Sequence, residues 1–363
     1  MDQSYKKLLE KQAYRFIGEH TAVKICGWTK KSMTDSGECY KGKFYGIQSH
    51  RCIQMSPAVN FCDMDCVYCW RERNNSSFGK IDDPNSMMDK AQFEQSKLLQ
   101  GFKGNPKVNK QKFWESKYPA HVAISLNGEP TYYPKLNHLI MNIRDRGWTS
   151  YLVTNGQRPD VLKKLSPPTQ LYISLDAPTK ELHKQITKPM RKDSWERVLK
   201  SLDIMAERRD ETRGVIRLTI IRGLTDTLPE KHAELFKRGN PKFIEVKGYV
   251  YVGASQERLA VQNMPYHKEV KAFANEIAKH CDYRVVDEHE ASRVVLMMKD
   301  DEKEERFLKP THPITNEMIE KAKSGKIDQE LEQFADPSFI PIKSIKITLQ
   351  NSSYKTKIPE EVH

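Results

Sequence analysis

Residues 61–70 read "FCDMDCVYCW", which packs Cys62, Cys66 and Cys69 into eight residues with gaps of three and two. Cysteines this dense are metal ligands or a fragment of a disulfide framework. A structural zinc site takes four tetrahedral ligands, usually as two pairs. No second pair follows, and Cys281 stands alone far downstream, so zinc would have to recruit Cys52 as its fourth ligand. A 4Fe–4S cluster takes four thiolates. A motif that supplies only three leaves one iron open to substrate or cofactor, as catalytic metal centres do. Tyr68, directly before the third cysteine, is placed to cover such a cluster.

The surroundings of the triplet set the fold. Short apolar runs bounded by turn residues or charges occur at 51–55, 121–126, 151–154, 171–175, 215–221 and 242–246. Such runs are what parallel strands covered on both faces require. Helical patterns at 86–100, 134–147, 159–166, 193–209 and 229–238 separate them, several with cap or turn residues such as Asp193-Ser194 and Pro229-Glu230. Six strands alternating with helices predict an α/β fold with a parallel sheet, open or rolled into a partial (β/α)6 barrel. The triplet then follows the first strand, at the C-terminal end where such barrels carry their chemistry. A helix over 265–280 and one or two strands within 283–299 follow, and then an acidic patch and a polar tail. The expected organisation is an N-terminal extension over 1–50, a barrel over 51–260 and a C-terminal α+β extension over 261–363.

Composition bounds the function. The 363 residues carry 60 Lys+Arg against 48 Asp+Glu, a formal charge of +12. That excess favours a polyanionic partner, for which nucleic acid is the commonest choice. Residues 97–117 hold six lysines against the single Glu115, with Phe102, Phe113 and Trp114 interleaved. This reads as a surface for phosphates and unstacked bases, or as an exposed loop. No apolar run approaches membrane-spanning length, and the first residues lack a secretory pattern. The expectation is a cytoplasmic monomer with no membrane partner and with its seven cysteines reduced.

The pattern C-x3-C-x2-C, with an aromatic before the third cysteine and placed after the first strand, resembles the radical S-adenosylmethionine (SAM) superfamily. The resemblance implies a SAM site assembled from later strand ends. "SLNGEPTYYP" offers Asn127, Gly128 and Glu129, with Asn127 where the family has a first glycine. "VTNG" offers Thr154 and Asn155, "ISLDAPT" offers Ser174 and Asp176, and "IRLTII" puts Arg217 and Thr219 on one strand face. Each string alone also occurs in ordinary turns.

Cys26, Cys39 and Cys52 lie upstream at equal spacings of thirteen. Either they are scattered core thiols or they hold a second cluster. Together with "CYKGKFYGIQSHRCIQMSP" (39–57) they resemble the tRNA 4-demethylwyosine synthases in their archaeal, single-module form, over about residues 14–320. That resemblance implies two 4Fe–4S clusters, SAM, pyruvate, and the anticodon loop of tRNA(Phe) as substrate. It implies condensation of N1-methylguanosine-37 with C2 and C3 of pyruvate into a tricyclic base. The resemblance to the single-module form implies an external flavodoxin- or ferredoxin-like electron donor. Lys41 is the choice for a Schiff base with pyruvate, with Lys43 and Lys247 as competitors. Lys30, Lys31, Arg71, Arg73, Lys107 and Lys110 are expected along the RNA path. His50 and His267 read as structural or at the groove edge, and Cys281 as a core thiol. The alternatives are another radical SAM enzyme acting on protein, or a zinc-dependent RNA-binding protein.

Overall fold

The computed structural model describes residues 3–71, 79–300, 303–308 and 312–335. Ten strands form one sheet: β1 (Arg15–Phe16), β2 (Ala22–Val23), β3 (Cys52–Ser56), β4 (His121–Ile124), β5 (Thr149–Thr154), β6 (Gln170–Ser174), β7 (Arg213–Ile220), β8 (Phe243–Gly248), β9 (Arg284–His289) and β10 (Val294–Met298). Their order is β1-β2-β3-β4-β5-β6-β7-β8-β10-β9. The pairs from β3 to β8 are all parallel, in register Cys52 with His121, Tyr151 with Gln170 and Arg217 with Glu245. β2 joins β3 antiparallel at one edge, and β10 joins β8 antiparallel at the other.

Alternation along the strands sorts side chains to two faces. Ile53, Met55, Val122, Ile124, Leu171, Ile173, Ile216, Leu218, Ile244 and Val246 form the layer beneath the outer helices. Each such apolar side chain contributes roughly 1.5–3 kcal/mol on burial. The helices are held by local chemistry. Asp83 accepts from the amides of Asn85 and Ser86 with Pro84 in the first turn, which starts the helix Pro84–Leu99. Thr179 caps Lys180–Thr187 in the same way through the Leu182 amide.

The opposite face carries Cys52, Tyr151, Tyr172, Val215, Arg217, Phe243, Glu245 and Lys247. Lys41 lies over the rings of Tyr151 and Tyr172, at 4.8 and 4.2 Å from their centroids. It also feels the charges of Glu245 on β8 and Cys52 on β3. Side chains from the first and last parallel strands reach one lysine only if the sheet curls, so this face is the interior of a partial barrel. The aromatic helix Tyr40–Tyr45 plugs it, packing Tyr40, Phe44 and Tyr45 against Tyr151, Tyr172, Val215 and Phe243.

The six expected strands and their helices are present. Sequence periodicity misses β1, β2 and the short helices Gly27–Met33, Tyr40–Tyr45 and Lys180–Thr187. Pieces this short carry only about one or two periods, and the first two of these helices begin at cysteines that give no side-chain cap. The flanking segments also contribute strands to the edges of the barrel sheet, so the sheet runs on from β1 to β9.

Candidate active site at the barrel mouth and interior

Cys62, Cys66 and Cys69 lie in the loop after β3, held by the turn after β4. Gly128 sits at φ +71°, and a Cβ there would stand 2.0 Å from the Ala58 carbonyl oxygen and 2.9 Å from that of Phe61. Only glycine accepts that conformation and that approach together. The Glu129 amide then donates to the Phe61 carbonyl at 2.5 Å. The buried Glu129 carboxylate accepts from the Thr131 amide and hydroxyl, from the Thr154 hydroxyl at 2.6 Å and from the Asn155 amide at 2.7 Å. Glu129 and Thr154 therefore tie two strand ends together. Asn155 points its amide at Asp63 (3.0 Å) and at the Cys62 sulfur (3.7 Å).

Asp176, on the loop after β6, accepts from the Tyr68 hydroxyl and lies beside Cys66. Arg217 reaches the Ser174 hydroxyl at 3.5 Å. Burial pushes the Asp176 carboxyl up, against the pull of Tyr68, Thr219 and Arg217. Asp176 Oδ1 and Asn127 Nδ2 are buried without a hydrogen-bond partner. Buried polar atoms are normally satisfied, so this pair fits a cradle for a polar ligand. The Asn127 carbonyl is already taken by the Ser56 hydroxyl.

Burial pushes the Cys66 thiol well up, and the charges of Asp176, Cys62 and Cys69 add to it. Three thiolates in a dry pocket repel one another unless a cationic centre sits among them. That donor set fits an iron–sulfur cluster. Among the described residues no three His, Cys, Asp or Glu side chains converge on a single-ion site. One thiolate per iron does not demand such convergence.

The three upstream cysteines also meet. Cys26 and Cys39 stand at the starts of Gly27–Met33 and Tyr40–Tyr45, and Cys52 opens β3. Burial raises the Cys39 thiol to about 11 and Cys52 to about 12, with the Cys26 charge the next contribution to both. Cys52 thus groups with these two. Around them lie Lys41, Lys247, Arg217 and the buried Glu245, which accepts from the hydroxyls of Tyr40 and Tyr45 at 2.9 Å each. Burial lowers Lys41, against the opposing pull of Glu245 and Cys39. Burial also lowers Lys247, with Arg217 adding to it. Lys43 faces away, paired with Asp287 at 3.1 Å and half-exposed. Arg217 feels Tyr40 and Glu245 on one side and Asp176 and Tyr68 on the other, so it bridges the two groups of thiols.

The expected RNA-contact residues divide. Lys30 and Lys31 sit exposed on the helix after Cys26, with Lys31 over the Trp28 ring. Lys107 and Lys110 belong to a segment fastened to that helix by the Asn109 amide on the Met33 carbonyl and by the Lys112–Asp35 pair. Its aromatic residues are no stacking surface: Phe113 is buried, and Phe102 and Trp114 pack with it against Ile25 and Met33. Arg71 stacks on Trp70 and donates to the Ser125 carbonyl at 2.7 Å. Arg73 lies outside the described residues. His50 pairs with Glu115 and His267 with Glu288. The Cys281 thiol donates to the Ile277 carbonyl at 3.5 Å, and its side chain packs against the core.

Glu245 escapes sequence reasoning, though an acid inside the apolar run "KFIEV" is a signal, because buried carboxylates are rare unless paired. Arg258 is the second residue missed. It donates to the carbonyls of Cys69 and Val67 and pairs with Asp65, bracing the triplet loop from a loop after β8. It carries no local motif.

A curled parallel sheet with a three-thiol loop after its first strand and a polar cradle across the next strand ends defines a radical SAM enzyme. The chain matches the Radical SAM superfamily over residues 56–236 and the family described as Wyosine base formation over 238–299. It is 44% identical over 310 residues to the S-adenosyl-L-methionine-dependent tRNA 4-demethylwyosine synthase of Pyrococcus horikoshii, covering 83% of this chain and 90% of that one. Its counterpart from Methanocaldococcus jannaschii is 40% identical, with 82% and 96% covered. The human counterpart is 39% identical, but the match spans 40% of its length. A solved structure of TYW1 with a lysine-pyruvate adduct bound aligns with a TM-score of 0.76 at 39% identity, covering 85% of this chain and 99% of that one. The chain belongs to the tRNA 4-demethylwyosine synthases. As a radical SAM enzyme it takes SAM and a 4Fe–4S cluster. Among the described residues no helix is long and apolar enough to cross a membrane.

Proposed function

We infer that this chain condenses N1-methylguanosine-37 of tRNA(Phe) with C2 and C3 of pyruvate to form the tricyclic imidazopurine. A reduced 4Fe–4S cluster with SAM supplies hydrogen-abstracting radical chemistry when bound. Cys62, Cys66 and Cys69 hold that cluster. Asn127, Gly128, Glu129, Thr154, Asn155, Ser174, Asp176, Arg217 and Thr219 frame the SAM site, Glu129 and Thr154 by shaping it rather than by touching ligand.

Cys26, Cys39 and Cys52 hold a second 4Fe–4S cluster beside the pyruvate site. Lys41 condenses with the pyruvate ketone, its amine attacking the carbonyl carbon and water leaving. Burial that disfavours the ammonium leaves more of the nucleophilic free amine. Lys247 and Arg217 offset the pyruvate carboxylate and keep it oriented. The observation that carries this reading is Lys41 itself. It is buried between two tyrosine rings beside Cys39, whereas Lys43 is committed to Asp287. The solved relative with a lysine-pyruvate adduct supports the chemistry. The electron arrives from an external flavodoxin- or ferredoxin-like donor.

The test is anaerobic incubation of reconstituted protein with N1-methylguanosine-37 tRNA, pyruvate, SAM and dithionite, followed by nucleoside mass analysis. A new tricyclic nucleoside is expected. SAM cleavage with the tRNA left unchanged would remove the reading.

A further inference from the structure

The basic surface expected to meet RNA lies on residues 97–117, yet Phe113 is buried, Phe102 and Trp114 are partly buried against it, and Lys112 is spent on Asp35. A second basic run stands at the barrel mouth. Residues 180–200 hold Lys180, Lys184, Lys188, Arg191, Lys192, Arg197 and Lys200 against Glu181, Asp193 and Glu196. Two of those acids are matched within the run, Asp193 by Arg197 at 2.8 Å and Glu196 by Lys180 at 2.5 Å. Lys188, Lys192 and Lys200 have no carboxylate partner among the described residues, and all three are exposed.

The loop at 188–192, "KPMRK", is fixed to the triplet loop along its length. The amides of Asp65 and Val67 donate to the carbonyls of Thr187 and Ile186, and the Met190 amide donates back to the Asp63 carbonyl at 2.9 Å. Arg191 pairs with the buried Asp63 at 3.1 Å, and Asp63 accepts from Asn155, whose amide reaches Cys62. On this rigid base the Met190 side chain projects into solvent at 57% exposure. Arg191 also lines a cleft of about 570 Å³, together with Arg158, Arg197 and Lys200 and the acids Asp160, Asp193 and Glu196. Isolated exposed apolar side chains need no explanation. One flanked by unpaired cations and braced on the cluster loop has the make-up of a single-strand RNA contact, cations for phosphates and an apolar surface for a base.

We propose that residues 188–192 and the cleft that Arg191 lines grip the RNA strand next to the nucleotide that enters the barrel. Lys188 and Lys192 take backbone phosphates, Met190 packs on an unstacked neighbouring base, and Lys200 receives the next phosphate at the cleft, where Arg158 and Arg197 are paired with Asp160 and Asp193. Bracing against Asp63 sets the distance from this grip to Cys62. The inference rests on the tRNA reading above and names a contact surface for it.

The test measures tRNA binding to reconstituted wild type, K188E/K192E and M190A across a salt series. A phosphate contact contributes about 0.7 to the slope of log affinity against log salt on a single strand, so two lost contacts lower it by about 1.4. K188E/K192E is expected to bind roughly tenfold or more weakly at low salt, with that smaller slope. M190A is expected to weaken binding with the slope unchanged, and it keeps the test valid if the charge reversal disturbs folding. K279E, a single charge reversal at the end of the helix His267–Ala278, is expected to bind as wild type. Unchanged affinity and slope in both loop variants, with wild type binding normally, would overturn the grip alone. Failure of wild type to bind tRNA would overturn the underlying reading. If the loop variants turn over normally with dithionite but poorly with a flavodoxin-type protein donor, the surface serves the reductant and the proposal fails.

Discussion

Gly128→Ala is the sharpest perturbation of the SAM cradle. The residue sits at φ +71°, where a side chain costs about 1–2 kcal/mol. Its Cβ would also stand 2.0 Å from the Ala58 carbonyl oxygen, against the roughly 3.0 Å below which such contacts essentially do not occur. The obstacles are backbone atoms of Ala58, Asn60 and Phe61, so no rotamer change relieves them. The 58–61 turn must move by about 1 Å, and it leads directly into Cys62. The sum is a stability loss of roughly 2–4 kcal/mol. The local consequence is larger, since misplacing a reacting group by about 1 Å can cost on the order of a hundredfold. We expect the variant to fold with a lowered melting temperature and to bind SAM at least tenfold more weakly, about 1.4 kcal/mol. Equilibrium dialysis with labelled SAM on anaerobically reconstituted protein measures this. Wild-type affinity together with a wild-type melting temperature would refute the argument that backbone approach at Gly128 shapes the site.

Three further outcomes are expected. Borohydride with labelled pyruvate should trap an adduct that maps to Lys41, disappears in K41A and persists in K43A, as peptide mass mapping would show. Reconstituted wild type should hold about eight irons and a Cys26/Cys39/Cys52→Ala variant about four, with SAM binding retained. His232, wholly buried against Phe236 and Phe273, is pushed down to about 4 by burial. Its contribution to stability is present above about pH 6.5 and is lost as pH falls toward 4, with a slope near 1.4 kcal/mol per unit. Urea unfolding of the apoprotein between pH 7 and 5 should show that decline, and H232L should make it shallower by one proton's share, since the buried His121 and His183 are pushed down to about 3 and about 4 and lose stability in the same window.

The sequence exposes what depends on spacing and conceals what depends on convergence. Cys62, Cys66 and Cys69 are legible because one loop must present all three thiolates, whereas Gly128 is named through the family resemblance and its lack of room for a side chain shows only in the fold. The six parallel strands are legible from apolar runs such as "HVAISL" and "VIRLTII". Cys26, Cys39 and Cys52 gain their meaning only from a family resemblance, since nothing local shows that a β-strand start and two helix starts meet. Glu245 and Arg258 lie far from the cysteines they serve, so only the curled sheet reveals them. The aromatic residues of 97–117 misled for the opposite reason: interleaving with lysines looks like a nucleic-acid surface, but Phe113 and Trp114 turn inward to cover Ile25, Met33 and Leu99. The basic run at 188–192 was in plain view, and only its hydrogen bonds to the triplet loop single it out.

The most direct test of the central claim follows the carbon of pyruvate. Turnover is run with wild-type protein, SAM, dithionite and N1-methylguanosine-37 tRNA, once with pyruvate labelled at C2 and C3 and once with pyruvate labelled at C1. The nucleoside released by digestion is then weighed by mass spectrometry. The account predicts a tricyclic base that carries both labels in the first case and none in the second. A modified base without either label, or label retained from C1, would contradict it.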